Sequence, residues 1–209
     1  MKGLLLKDWY MVKKYCRAYL LITVGFIMIS FFSDNNMFFV FYPCLLCGMI
    51  PVNLLAYDER SRWMQYSGTL PYTKTQIVCG KYLIGLFTQL AVFVATGISQ
   101  AAKMIAAGNF VLGDFAVLML LMLIISTLTS SISLPFMFKL GVEKGRTAYY
   151  VMIGFACVAS ALATTLFRGQ FLEEIKPNLV LAIFAVVGIV VYIFSWYLSV
   201  VFFKKRDIH

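Results

Sequence analysis

For most of its length this chain carries apolar residues in continuous runs, with no clear alternation of hydrophobic and polar positions. Six runs stand out, separated by short polar segments: Ala18–Ser33, Met37–Ala56, Tyr82–Ala102, Phe115–Phe138, Ala148–Phe167 and Leu179–Phe203. Crossing a hydrocarbon core of about 30 Å takes about 17–25 helical residues, so each run predicts a transmembrane helix, the first being the shortest. A helix also satisfies its own backbone hydrogen bonds where lipid offers none. The expected fold is all-α: a polytopic membrane protein in one domain, 1–209, with six transmembrane helices, an amino-terminal amphipathic interfacial helix and a short cytosolic helix.

The periodic pattern is confined to the polar segments. In residues 1–17, Leu5, Trp9, Val12 and Cys16 recur on one helical face, with Lys7, Lys14 and Arg17 opposite. This predicts a helix lying in the membrane interface, anchored by Leu5, Trp9 and Val12, with its lysines toward lipid phosphate. The 57–75 connection is the richest in signal. Asp58 and Glu59 suit a helix start, where the dipole favours anions, and Arg60 and Arg62 follow. Trp63, Tyr66 and Leu70 form an aromatic-apolar stripe that Gly68 and Pro71 interrupt. Thr73 and Gln76 have capping-box spacing ahead of the third span. A second cytosolic loop, 139–147, carries Glu143, Lys144 and Arg146.

Charge sets the orientation. Lys2, Lys7, Lys13, Lys14, Arg17, Arg60, Arg62, Lys74, Lys81, Lys139, Lys144, Arg146, Lys204, Lys205 and Arg206 fall on one side of the expected membrane, against only Lys103, Arg168 and Lys176 on the other. This positive-inside bias places both termini in the cytoplasm. The net charge of +9 is then a topology signal and an attraction to anionic lipid. Basic residues split among four short segments do not make a nucleic-acid surface.

With 62% hydrophobic residues and a mean hydropathy of +0.87, there is no room for a soluble catalytic domain. The first apolar run lies behind a charged segment, unlike a cleavable signal peptide. Cys44 and Cys47 form a C-x-x-C, but apolar neighbours and a single histidine, His209, leave no zinc ligand set. They read as small buried helix residues. No span has an ionisable residue near its middle, which counts against an ion-coupled transporter or an intramembrane protease. The hydroxyl cluster Ser126, Thr127, Thr129, Ser130, Ser131 and Ser133 precedes Pro135. It reads first as close helix packing, with hydroxyls satisfying the carbonyl that the proline frees, and second as a pathway or dimer face.

Four stretches carry a family resemblance: the D-E-R-x-R-W loop, the L-P-Y-T-K-T-Q-I-V-x-x-K-Y-L run at Leu70–Leu83, F-K-L-G-V-E-K-G-R at Phe138–Arg146, and L-L-L-K-D-W at Leu4–Trp9. Together with the six-span pattern they resemble the short branch of type-2 ABC transporter permeases, over essentially the whole chain. The resemblance implies a coupling helix after the second span that docks on a separate ATP-binding cassette subunit. Asp58, Glu59, Arg60, Arg62, Trp63 and Tyr66 would make or support that contact, and Glu143, Lys144 and Arg146 would form a second one. It further implies an interfacial elbow helix, a second permease copy or paralogue, surrounding lipid, and residence in a bacterial plasma membrane. Permeases of similar size export amphipathic peptides such as phenol-soluble modulins and bacteriocins, so peptide export is the favoured expectation, with lipid or drug efflux beside it.

No phosphate-cradling G-x-x-x-x-G-K-[ST] occurs, since Gly80–Lys81 lacks the earlier glycine and precedes Tyr82. The chain is expected not to be an enzyme and to bind no cofactor; ATP and Mg would belong to the partner subunit. The alternative class is a non-transporting scaffold or immunity protein that binds partners through the same loops.

Overall fold

A computed structural model of the chain describes residues 2–32, 37–108, 110–152, 154 and 177–205. Every regular element among them is an α-helix: α1 (Lys2–Tyr15), α2 (Arg17–Phe32), α3 (Met37–Gly48), α4 (Ile50–Arg60), α5 (Trp63–Ser67), α6 (Lys74–Ala106), α7 (Leu112–Leu140), α8 (142–152) and α9 (Pro177–Lys205). Met37–Arg60, α6, α7 and Ala185–Lys205 are each long and apolar enough to cross a membrane. The pair α1 and α2 meets that test only jointly and bends by 67° at Cys16, so four spans become at most five among the described residues. The expected fifth run, Ala148–Phe167, lies largely outside the described residues, as do Cys157, Arg168, Lys176, Arg206 and His209.

The helix boundaries follow local chemistry. Thr73 opens α6 with the anticipated capping box: its side chain accepts from the Gln76 N–H, and Gln76 Oε1 accepts from the Thr73 N–H. The helix therefore begins at Lys74, as the capping-box spacing anticipated, eight residues before the apolar run that starts at Tyr82. The second span breaks at Met49, just before Pro51, whose missing N–H cannot continue the ladder. The Ser130 hydroxyl donates to the Gly48 carbonyl at this break (3.2 Å), and Gln89 Nε2 donates to the Ser130 hydroxyl and the Ser126 carbonyl. Here α6 and α4 approach closely: a Cβ on Gly85 would stand 2.5 Å from Pro51 Cγ.

The helix α6 is the hub, packing against α1, α2, α3, α4, α7 and α9. Pro135 lies within an uninterrupted α7 and deprives the Ser131 carbonyl, four residues back, of its helical donor. That carbonyl accepts instead from the Ser195 hydroxyl of α9 at 2.6 Å. Ser195 and Ser199 also share hydrogen bonds with the Tyr82 hydroxyl of α6, at 2.7 and 2.8 Å. The expected hydroxyl rescue therefore occurs, supplied from a neighbouring helix. At the far end of α6, Gln100 Nε2 donates to Ser30 Oγ (3.1 Å) and Lys103 Nζ to the Ser30 carbonyl (3.2 Å).

The largest apolar cluster among the described residues gathers α4, α5, α6, α7, α8 and α9, with Val52, Val78, Leu134, Phe138, Val142 and Phe203 among its buried members. Cys44 and Cys47 are buried in two separate smaller clusters.

Candidate functional site: the charged node joining α1, α4 and α6

Asp58 and Glu59 close a helix where the sequence suggested a beginning: α4 continues from the membrane through Arg60. In a last helical turn the backbone dipole opposes a carboxylate, so each acid needs a partner from elsewhere, and each has one.

Asp58 is fully buried. Lys7 Nζ from α1 lies 2.5 Å from its Oδ1, and Lys81 Nζ from α6 lies 2.6 Å from its Oδ2. The second contact is an ion pair without hydrogen-bond alignment. Lys81 also reaches Asp8 Oδ1 at 2.7 Å, and Lys7 reaches the same oxygen at 3.5 Å. Two carboxylates and two ammonium groups thus form a node of zero net charge joining α1, α4 and α6. The side chains of Asp8, Asp58 and Lys81 are between 1% and 3% exposed. Isolated charges so placed would cost several kcal/mol each, about as much as their mutual attraction returns; the node therefore fixes geometry more than it adds stability.

Lys7 closes the node on the solvent side. Its ammonium stands 3.4 Å over the Trp63 ring, the first residue of α5. Burial holds its pKa below the usual 10.5, reinforced by the Lys81 charge and opposed by Asp58. The expectation that Lys7 projects toward lipid phosphate is therefore corrected: it turns inward. The inner face of α1 is Leu4, Asp8 and Val12, with Cys16 just beyond. Val12, expected as a lipid anchor, packs in the core, Leu5 is half-buried, and Trp9 remains 44% exposed.

Glu59 ties the 57–75 connection to the 139–147 loop. Its Oε2 accepts from the Val142 N–H at 2.8 Å, capping the first turn of α8. Nearby, Arg146 Nη2 donates to Asn53 Oδ1 at 2.9 Å. The short α5 is pinned from behind by buried Met64 and by Trp63, while Tyr66 is 60% exposed. It opens at Arg62, whose φ of 53° lies in the left-handed region, the only such non-glycine among the described residues.

Of the residues expected at a partner contact, Arg60, Arg62, Tyr66, Glu143 and Lys144 are exposed, whereas Trp63, Glu59 and Arg146 are half-buried behind them. Asp58 is corrected from surface to interior: fully buried, it has no face left for a docked protein. The sequence reading missed Asp8 and Lys81 as its partners. One signal was available for Asp8, the only acid among the first seventeen residues, four after Leu4 and four before Val12, where a carboxylate interrupts an apolar stripe. Lys81, one residue before an apolar run, carried none.

Apolar helices packed around a central rod, with charged elements fastened at one end, define a multi-pass membrane protein. The chain belongs to the ABC-2 transporter family: the family model described as ABC-2 family transporter protein matches residues 3–204. It is thus a permease component of an ABC transporter. No curated protein and no solved structure matches it.

Proposed function

We propose that this chain is the membrane-spanning subunit of an ATP-driven exporter of amphipathic or hydrophobic peptides, with ATP and Mg handled by a separate cassette subunit. Two such permeases, identical or paralogous, form the pathway in a plasma membrane with both termini cytoplasmic. One observation carries the reading: Glu59 bonds the end of α4 to the start of α8, so the exposed residues of both cytosolic loops move as one surface. A partner pressing on Tyr66, Arg62, Glu143 and Lys144 displaces two spans together, as an alternating-access cycle requires. The absence of a phosphate-cradling motif supports hydrolysis elsewhere.

The test is co-purification from the native membrane followed by an ATPase assay. A stoichiometric P-loop subunit whose hydrolysis rises with amphipathic peptide is the expected result. Recovery without any nucleotide-binding partner would overturn it in favour of a scaffold.

A further inference from the structure

Three helix ends converge at one level of the bundle. Phe138 of α7 meets Phe203 of α9 edge to face, with ring centroids 5.4 Å apart, so these two membrane-length helices end side by side. The residue after each ring is a lysine, Lys139 on α7 and Lys204 on α9, and Lys205 follows. Lys139 Nζ stands 5.0 Å from the centre of the Phe202 ring, within reach of a cation–π contact. Lys205 lies one helical turn beyond Phe202. Lys74, at the start of α6, donates to the Lys204 carbonyl at 3.2 Å and fastens the third helix to the same turn. Lys139, Lys204 and Lys205 are all exposed.

The charge at this junction is unbalanced. Among the described residues, none of Lys139, Lys204 and Lys205 has an ion-pair partner. The described acids are engaged elsewhere or out of reach. Asp8 and Asp58 face Lys7 and Lys81, Glu59 faces the Val142 N–H, and Asp114 lies in the first turn of α7, at its other end. Glu143 sits beyond Gly141 in α8 and forms no ion pair with Lys139. Arg206 and Asp207, next in the sequence, add no net charge. A helix C-terminus favours lysines through its dipole, but that effect acts on each helix alone. Here the lysines of two span ends, joined by a third helix, make one patch.

An apolar stripe runs into that patch. Phe194, Leu198, Phe202 and Lys205 recur every three or four residues along α9 and share one face. Phe194 is 59% exposed, and Leu198 and Phe202 are half-buried. At about 1.5 Å per residue, the stripe from Phe194 to Lys205 is roughly 16 Å long, half the depth of a hydrocarbon core of about 30 Å. We infer that this junction binds one anionic phospholipid. Its phosphate is held between Lys139 and Lys205, with Lys204 adding charge at the edge, and an acyl chain lies along Phe202, Leu198 and Phe194. A zwitterionic lipid fits worse, because its headgroup amine would meet ammonium groups with no described acid beside them. The patch shares no residue with the surface assigned to the ATPase subunit, and the inference stands apart from what the permease exports.

The test titrates lipid into the delipidated, detergent-purified transporter and reads bound lipid by native mass spectrometry. Phosphatidylglycerol should bind in preference to phosphatidylcholine with the same chains. Lys139→Gln combined with Lys205→Gln should weaken phosphatidylglycerol binding about thirtyfold, the usual scale for two lysines beside an anionic headgroup. Phosphatidylcholine binding should not change in this double variant, which also reports that it is folded. Lys139→Arg with Lys205→Arg keeps the charge and should keep the preference. Lys13→Gln with Lys14→Gln removes the same charge from exposed positions on α1 and should leave the preference intact. Equal losses in the two glutamine pairs would mean diffuse attraction by net charge and overturn the site. Equal binding of the two lipids by the unaltered protein overturns it as well. Dihexanoyl phosphatidylglycerol, with chains too short for the stripe, should bind at least about tenfold more weakly, since it buries fewer methylenes. Binding as tight as that of the long-chain lipid overturns the lipid assignment in favour of a soluble phosphate.

Discussion

Lys81 and Asp8 meet at 2.7 Å in the interior although 73 residues separate them in sequence. Their pairing brings the first helix of the chain onto the hub helix, and Asp58, on the other side of Lys81, brings the end of the second span to the same point.

A zero-charge node predicts an inverted mutational order. Lys81→Met alone leaves two buried carboxylates sharing Lys7 and should cost about 3–5 kcal/mol, the usual consequence of breaking a buried pair from one side. Adding Asp8→Leu removes the surplus charge and should recover most of that loss. Thermal unfolding in detergent ranks the variants. A double variant no more stable than the single one would show that the node is not balanced as described.

The lowered Lys7 pKa sets a direction for pH. Between its depressed folded value and the usual 10.5, the unfolded chain binds the extra proton, so this group makes stability rise with pH through that window. The gap in melting temperature between the protein and Lys7→Met should shift in favour of the former as pH approaches 10.5. A gap that stays flat, or moves the other way, contradicts the assignment.

Glu59→Gln keeps the size of the side chain but removes the charge that caps α8. A lost cap costs about 0.5–2 kcal/mol, too little to prevent insertion. On the proposed function, the expected phenotype is uncoupling: the partner subunit still binds and hydrolyses ATP while transport falls. Transport and hydrolysis measured in one proteoliposome preparation separate this from simple loss of protein; unchanged transport per ATP removes Glu59 from the coupling route.

Ser195 and Pro135 should be thermodynamically coupled. Ser195→Ala strands the Ser131 carbonyl, which should cost about 1–3 kcal/mol. Pro135→Ala restores a backbone donor to that carbonyl. In the Pro135→Ala background, therefore, removing the Ser195 hydroxyl should cost distinctly less. Additive effects across the four proteins would mean that the two residues do not serve the same carbonyl.

Glycine contacts give a simple pair of variants. Gly85→Ala drives a methyl into Pro51, whereas Gly25 has nothing within 4 Å of a built Cβ. The first should lower the melting temperature by separating α4 from α6, while Gly25→Ala should be near neutral in packing.

The helical, membrane-embedded character was legible because apolar runs of bilayer length have few other uses. The capping box at Thr73 was legible because its two hydrogen bonds are local. The reading failed where partners come from afar. Asp58 and Glu59 looked like helix-start acids because their stabilising groups, Lys7, Lys81 and the Val142 N–H, lie on other helices. The orientation of α1 failed for the same reason: apolar periodicity pointed to Leu5 and Trp9, but burial of one carboxylate at Asp8 outweighed it, since an ion pair fixes a helix rotation more sharply than a difference of a few methylenes. The break at Met49 was hidden because Pro51 in an apolar run signals only a perturbed helix, and its form depends on Ser130 and Gln89 across the interface.

The length of α6 has a mechanical consequence. Its 33 residues make a rod of about 50 Å, at about 1.5 Å per residue. Near its amino-terminal end it is clamped through Lys81, and near its other end through Gln100 and Lys103 on Ser30. A change in the tilt of this rod at the node would have to be accommodated either along its length or at Ser30, which couples the two ends of α6 in one element. One continuous helix therefore links the charged node at Lys81 with the contacts on Ser30 near the end of α2.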